Sequence, residues 1–284
     1  MILVIGGRSK VGAAVIAGLT ERGESVRALA RSSEAADSLP NGVEPVTGDL
    51  GDPGSLREAM RGADRVFLLS GPHPDEVRWH RNAIDAAGES GVDWLVRSSI
   101  LGADPDSPAT FIRDHGQCDA YLQESGVPHA IVRPNLFQQN VPENTIPSID
   151  ENGNFYVNAG EAQISMVDAR DVGAVAAALL TQGDPGREIY EVTGPDALSY
   201  ADVAEKLSSS LGRPVSYVEV PDDAVRQTLL GFGMDEWTVN ALVELYQDYK
   251  RSGTDGYAAE VTSTVEDLTG SPARSLDQLL SELS

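Results

Sequence analysis

Apolar residues in this chain come in short blocks separated by polar stretches, not in residue-by-residue alternation. Met1–Ile5 is a continuous apolar run, the pattern of a strand covered on both faces. It breaks at Gly6-Gly7-Arg8-Ser9-Lys10-Val11-Gly12, and Ala13–Leu19 then has helical composition. The same alternation recurs. Ser25–Ala30, Val43–Thr47, Asp64–Leu69, Trp94–Arg97 and His129–Arg133 read as further strands. Helices are predicted from Asp52-Pro53, where proline suits the first turn, over roughly residues 75–90, and from about Pro108 to Glu124. Strands alternating with helices predict an α/β fold built on a doubly wound parallel sheet.

Beyond Asn135 the alternation weakens. Residues 136–162 are rich in Asn, Pro, Gly and Gln and predict a loop region over the site, with a hairpin around Asn152-Gly153-Asn154. Ile164–Asp168 returns towards the core, Asp171–Leu180 is an alanine-rich helix, and Glu188–Val192 is another strand. Helices are expected at about 200–211, 222–231 and 235–251, and near the C-terminus. The division expected is a main domain over residues 1–134, to which 163–194 returns, and a smaller C-terminal α/β region over 135–284 that caps the substrate site.

Composition narrows the function. A chain of 284 residues with 41% hydrophobic content can bury a sizeable core. No apolar run approaches the roughly 18 residues that span a bilayer. The short N-terminal run has no basic residue before it, so a signal peptide is not expected. A single cysteine, Cys118, excludes an internal disulfide framework and fits a reducing, cytoplasmic setting. With 21 basic against 44 acidic residues the net charge is −23, which repels nucleic acid and anionic membranes. The expected partner is a small-molecule substrate, with no nucleic acid and no membrane. A homodimer stays open. The four histidines, His73, His80, His115 and His129, have no metal-ligand spacing, so no metal is expected.

The first dozen residues carry the clearest chemistry. A strand, a glycine turn and a helix N-terminus in succession aim free backbone N–H groups and a helix dipole at one spot, an anion site. Gly6 allows the sharp turn, and Gly12 lets helix and strand approach closely enough for a pyrophosphate to reach the backbone. Ser9 stands where a middle glycine might. The end of the second strand distinguishes the two dinucleotides, an acidic residue binding a ribose hydroxyl and a basic one a 2′-phosphate. Here it is Arg31, with no carboxylate before Glu34, and Arg8 could reach the same phosphate. NADP(H) is therefore preferred and NAD(H) is the alternative. In such sheets ligands lie outside the C-terminal ends of the strands. That rule nominates Gly6, Gly7, Arg8, Ser9, Lys10, Val11, Gly12, Arg31, Asp49, Leu50, Ser70, Gly71, Pro134 and Asn135 for the cofactor. It nominates Ser98 and Ser99 for catalysis and Phe137 for the substrate pocket.

Taken together, the glycine turn, Val26-Arg27-Ala28-Leu29-Ala30-Arg31, Gly48-Asp49-Leu50, Ser98-Ser99, Arg133-Pro134-Asn135, Asp168-x-x-Asp171-Val172 and the segment from Val265 to Leu276 resemble the NmrA-like, atypical short-chain dehydrogenases/reductases. The resemblance covers nearly the whole chain. It implies an extended Rossmann domain, a small C-terminal substrate region and an NADP(H) ligand. Relatives in that group include quinone reductases, azoreductase-like proteins, iminium reductases and cofactor-binding regulators without catalysis.

One departure stands out. Most catalytic short-chain dehydrogenases carry Tyr-x-x-x-Lys on the helix after the fifth strand, where the lysine tunes the tyrosine for proton exchange. Here His115 and Asp119 occupy those slots, and the helix has no lysine. Phe111, His115, Cys118 and Leu122 share one helix face, so His115 is expected to point inward. Asp119, one turn on, is placed to raise its pKa or to orient it, and His115 is the candidate proton donor of this helix. A late Tyr246-x-x-x-Lys250 has the dehydrogenase spacing but reads as ordinary helix composition. Ser98-Ser99 lies in no Gly-x-Ser-x-Gly elbow. Two functions fit: an NADPH-dependent reductase of a small planar electrophile such as a quinone, enone or imine, and a non-catalytic NADP(H)-sensing regulator.

Overall fold

The computed structural model describes residues 1–40, 42–183, 186 and 188–283. Its apolar runs form β1 (Ile2–Ile5), β2 (Val26–Ala30), β3 (Glu44–Thr47), β4 (Arg65–Leu68), β5 (Trp94–Ser98) and β6 (His129–Pro134). Of three later strands, β7 (Asn154–Val157), β8 (Ile189–Val192) and β9 (Ser216–Glu219), only β8 joins them. The main sheet has seven parallel strands in the order β3-β2-β1-β4-β5-β6-β8. The expected doubly wound parallel sheet is the one observed. The chain reverses its direction of winding between β1 and β4, and such a switch point opens a crevice at the C-terminal strand ends.

The continuous apolar runs follow from burial on both faces. On one face Ile2 and Val4 of β1, Phe67 of β4, Val96 of β5 and Val132 of β6 meet α1 (Lys10–Glu21) and α7 (Ala169–Gln182). Glycine brings those two helices close: a Cβ on Gly173 would lie 2.4 Å from that of Ala14. On the other face Leu3, Ile5, Val66, Leu95 and Ile131 meet α3 (Pro53–Met60), α4 (Glu76–Ser90) and α5 (Thr110–Glu124). A short α2 (Ser33–Asp37), not foreseen from the sequence, follows β2.

The later part of the chain builds its own core around Phe155, Tyr200, Leu245 and Tyr249. It contains α8 (Tyr200–Leu211), α9 (Asp222–Gly231), α10 (Glu236–Ser252) and the C-terminal α12 (Leu276–Ser281), while α11 (Thr264–Thr269) contributes Val265 to the core beneath α7. Two expectations need correction. The segment expected as loop holds a π-helical turn, Val141–Thr145, running into α6 (Ile146–Ser148). No hairpin forms around Asn152-Gly153-Asn154. Gly153 turns the chain with φ 83°, and β7 then pairs in parallel with β9, with Asn154 opposite Ser216.

Residues 184, 185 and 187 of the expected return segment and Ser284 lie outside the described residues. No helix among the described residues is long and apolar enough to cross a membrane.

Candidate functional site

The glycine turn sits at the switch point. Gly6 has φ 85°, and a Cβ there would lie 2.5 Å from the carbonyl oxygen of Leu69. Gly6 is thus both a conformational requirement and the contact that sets the turn against the end of β4, beside Ser70. Gly12 is tighter: an added Cβ would lie 2.1 Å from the Gly6 carbonyl oxygen and 2.9 Å from the Gly7 Cα. Only a hydrogen fits between the first turn of α1 and the strand that feeds it.

Ser9, in place of a middle glycine, is the N-cap. Its Oγ accepts from the Gly12 N–H at 2.9 Å and donates to the Gly6 carbonyl at 2.9 Å. The N–H groups of Lys10 and Val11, at the first two helical positions, have no carbonyl within the helix to bond. No acidic residue lies in this first turn, so the positive end of the dipole is uncompensated. Lys10 bends away to Glu143 at 2.6 Å, which brings the π-helical turn beside the glycine turn. Arg8 and Arg31 are exposed, and neither has an ion-pair partner among the described residues.

The other nominated residues divide. Asp49 turns back on its own loop, its Oδ1 accepting from Gly51 N–H at 2.6 Å. Leu50 is half-buried, its carbonyl accepting from Asn82 at 2.8 Å. Beside Gly71 the space is open, with nothing within 4 Å of an added Cβ. Pro134 ends β6, and its carbonyl accepts from Leu101 N–H at 2.8 Å. The side chain of Asn135 is buried inside the protein: Nδ2 donates to Ser165 Oγ at 2.9 Å and to the Ala258 carbonyl at 2.8 Å. It anchors the β6 exit rather than reaching outward. Phe137 is half-buried, bridged to Val167. The late Tyr246 and Lys250 are structural, bonding Tyr200 at 2.6 Å and Asp222 at 3.1 Å. Asp168 caps α7 through Arg170 N–H at 2.7 Å, whereas Asp171 accepts from Arg274 N–H at 2.7 Å.

Beneath the ends of β5 and β6 lies a buried polar network. Its hub is Arg97, fully buried on the α4/α5 face of β5. Nε donates to His80 Nδ1 at 2.8 Å, Nη2 donates to His115 Nδ1 at 2.9 Å, and Nη1 pairs with Asp119. The other oxygen of Asp119 accepts from Ser99 Oγ at 2.8 Å and from Arg133 Nε at 2.9 Å. His80 Nε2 lies 3.0 Å from Ser70 Oγ. Glu76, in the first turn of α4, is 3% exposed, and its Oε1 has no hydrogen bond. His115 Nε2 lies 3.5 Å from it and His80 Nε2 3.9 Å.

An arginine can only donate. Its bonds to both Nδ1 atoms therefore assign both imidazoles as neutral Nε2–H tautomers. Burial and the charge of Arg97 push both histidine pKa values well below the usual range. Burial raises Glu76 to about 7 against the pull of Arg97. Cys118, on the same helix face, is raised by burial to about 11 and is an inert thiol.

This geometry corrects the reading of His115. It faces inward as expected, but Asp119 serves Arg97, Arg133 and Ser99 and does not raise its pKa. One ring nitrogen accepts from Arg97 and the other faces Glu76, so neither is placed to hand a proton outward. Ser99 is 6% exposed and donates to Asp119; Ser98 is 2% exposed on the opposite face of β5. The sequence reasoning missed Glu76, Arg97 and Arg133 and gave His80 no role. A signal was available: an arginine inside the buried run Trp94–Ser98 needs partners on its neighbours.

The chain is similar to known proteins over nearly its full length. A family model described as the NmrA-like family matches residues 1–278. The NAD(P)H azoreductase of Xenophilus azovorans is 40% identical, covering 96% of this chain and 94% of that protein. A (4-alkanoyl-5-oxo-2,5-dihydrofuran-3-yl)methyl phosphate reductase of Streptomyces griseus is 37% identical with the same coverage, 96% and 94%. Among solved structures, the NADPH complex of an NADPH-dependent quinone oxidoreductase from Escherichia coli superposes with a TM-score of 0.89 at 25% identity, covering 100% of this chain and 99% of the other.

Proposed function

The chain belongs to the NmrA-like family, and from that premise we propose that it is an NADPH-dependent reductase of small planar electrophiles such as quinones, enones or imines. The observation that carries the proposal is the glycine turn, where Gly12 lies against the Gly6 carbonyl with no room for a side chain and the Lys10 and Val11 N–H groups stay free. That arrangement fits a pyrophosphate. Arg8 and Arg31, exposed and without an ion-pair partner among the described residues of a strongly acidic protein, fit the 2′-phosphate that distinguishes NADPH from NADH.

Bound NADPH supplies the hydride. The chain's own contribution is to hold and orient cofactor and acceptor at the C-terminal strand ends. The Arg97 network fixes the floor of that site, and through Asp119 it fixes the rotamer of Ser99. His115 acts here as a positioning residue. Planar acceptors conjugated to oxygen or nitrogen need less proton assistance than a simple ketone, which fits a helix without the Tyr-x-x-x-Lys pair. The region over residues 135–284 serves as the substrate cap, with Phe137 at its inner edge.

A second reading is a cofactor-sensing protein without turnover. It is favoured by the commitment of Ser99 Oγ and His115 Nδ1 to internal partners. NADPH oxidation against a panel of quinones, enones and imines separates the two. Turnover of any of them supports the reductase; tight NADPH binding with no turnover of the whole panel supports the sensor.

A further inference from the structure

Two arginines in the buried network share one carboxylate. Arg97 is fully buried and already supplies the counter-charge of Asp119. Arg133 adds a second positive charge to the same group, with Nε and Nη2 each 2.9 Å from Oδ2. Among the described residues Asp119 is the one carboxylate within ion-pair distance of Arg133. Glu191, its register partner on β8, forms no ion pair with it. The cluster therefore carries a cation more than Asp119 can neutralise.

The guanidinium is also half used. Asp119 takes the Nε/Nη2 edge, which leaves the Nη1/Nη2 edge for a second planar partner. The side chain is 16% exposed, against none for Arg97. It stands at the last turn of β6 before Pro134, where ligands of a doubly wound sheet collect. Its neighbour across the register is Ser99, whose N–H donates to the Val132 carbonyl at 2.7 Å and whose hydroxyl meets the same Asp119 oxygen. Asp119 thus holds the arginine in one orientation through its Nε/Nη2 edge.

We infer that Arg133 is the anion-binding residue of the substrate site and selects planar acceptors that carry a carboxylate, sulfonate or phosphate. This deepens the reductase reading and rests on it. An oriented cation matters here because an overall net charge of −23 opposes the approach of an anionic substrate. Arg97 cannot take this role, being sealed within the protein.

The test uses benzoate as a planar anion and benzamide as its neutral analogue, titrated calorimetrically into the full chain at pH 7 with and without NADP. The wild type should bind benzoate more tightly than benzamide. Arg133→Met should weaken benzoate by about 10- to 100-fold, the loss of a charge-assisted bidentate contact, and leave benzamide and NADP affinity unchanged. Arg133→Lys keeps the charge on Asp119 and serves if the methionine variant does not fold; it should lie between the two. In turnover, the preference for a naphthoquinone sulfonate over the parent naphthoquinone should disappear in Arg133→Met through KM. Equal benzoate affinity in wild type and variants, or no benzoate binding to the wild type, overturns the inference. Failure of the wild type to bind NADP in the same titrations counts against the reductase reading instead.

Discussion

Replacing Glu76 by glutamine should make the protein more stable at alkaline pH. Glu76 is buried in the first turn of α4 with one oxygen unbonded. The groups that face it are His80 from α4, Arg97 from β5, and Asp114, His115 and Cys118 from α5. Burial raises its carboxyl from the ordinary 4.5 to about 7, with Arg97 opposing and Asp114 assisting. Between these two values the folded protein holds a proton that the unfolded chain has released. Stability therefore falls as pH rises through that window, by about 1.4 kcal/mol per pH unit. The whole penalty, about 3 kcal/mol, is absent below the ordinary value and fully present above the raised one. Glutamine cannot ionise and is exempt from it. The gain at pH 8.5 relative to pH 4.5 should approach that figure, less whatever the amide loses in an imperfect fit. In melting temperature it corresponds to roughly 5–10 °C. The assay is thermal and denaturant unfolding of the cofactor-free wild type and Glu76→Gln from pH 4.5 to 8.5, read as the difference between them. A variant that is less stable than wild type at pH 8.5 would refute the reasoning. It would mean that Glu76 is charged and paired with a protonated His115 or His80, contrary to the tautomers that Arg97 imposes.

Other perturbations test other parts of the account. Gly12→Val should abolish binding of NADPH and NADH alike, since its Cβ would meet the backbone of Gly6 and Gly7; a folded variant by circular dichroism with wild-type affinity would remove the cofactor assignment. Asp119→Ala should cost about 3–5 kcal/mol in denaturant unfolding by leaving Arg97 buried without a counter-charge, and Arg97→Met with Asp119→Leu should recover most of it. His115→Ala should keep kcat within a few-fold and leave the pH profile unchanged; a fall of about 100-fold or more would restore it as a proton donor.

The frame of the molecule was readable because its cause is local. Strands buried on both faces are predominantly apolar, and Ile2–Ile5 and Arg65–Leu68 lie within the runs that the sequence marked. The glycine turn was equally legible, since Gly6 and Gly12 are demanded by backbone approach that no other residue permits. The β7–β9 sheet was not, because it joins two four-residue strands some sixty positions apart and neither has a strong pattern of its own. The polar network was half legible. His115 was placed on the correct face by helical periodicity, but its partners come from α4, β5 and β6, and helix spacing gave undue weight to Asp119. Arg97 and Asp119 select one another only once β5 and α5 are packed together.

The central claim is that this is an NADPH-binding site read by Arg31. Fluorescence titration of NADPH and NADH against the wild type and Arg31→Asp tests it most directly. The wild type should bind NADPH more tightly than NADH. The variant should lose at least about tenfold in NADPH affinity by exchanging a phosphate partner for a repelling carboxylate, while NADH binding changes little. Equal losses for the two cofactors, or a wild type that binds neither, would contradict the account.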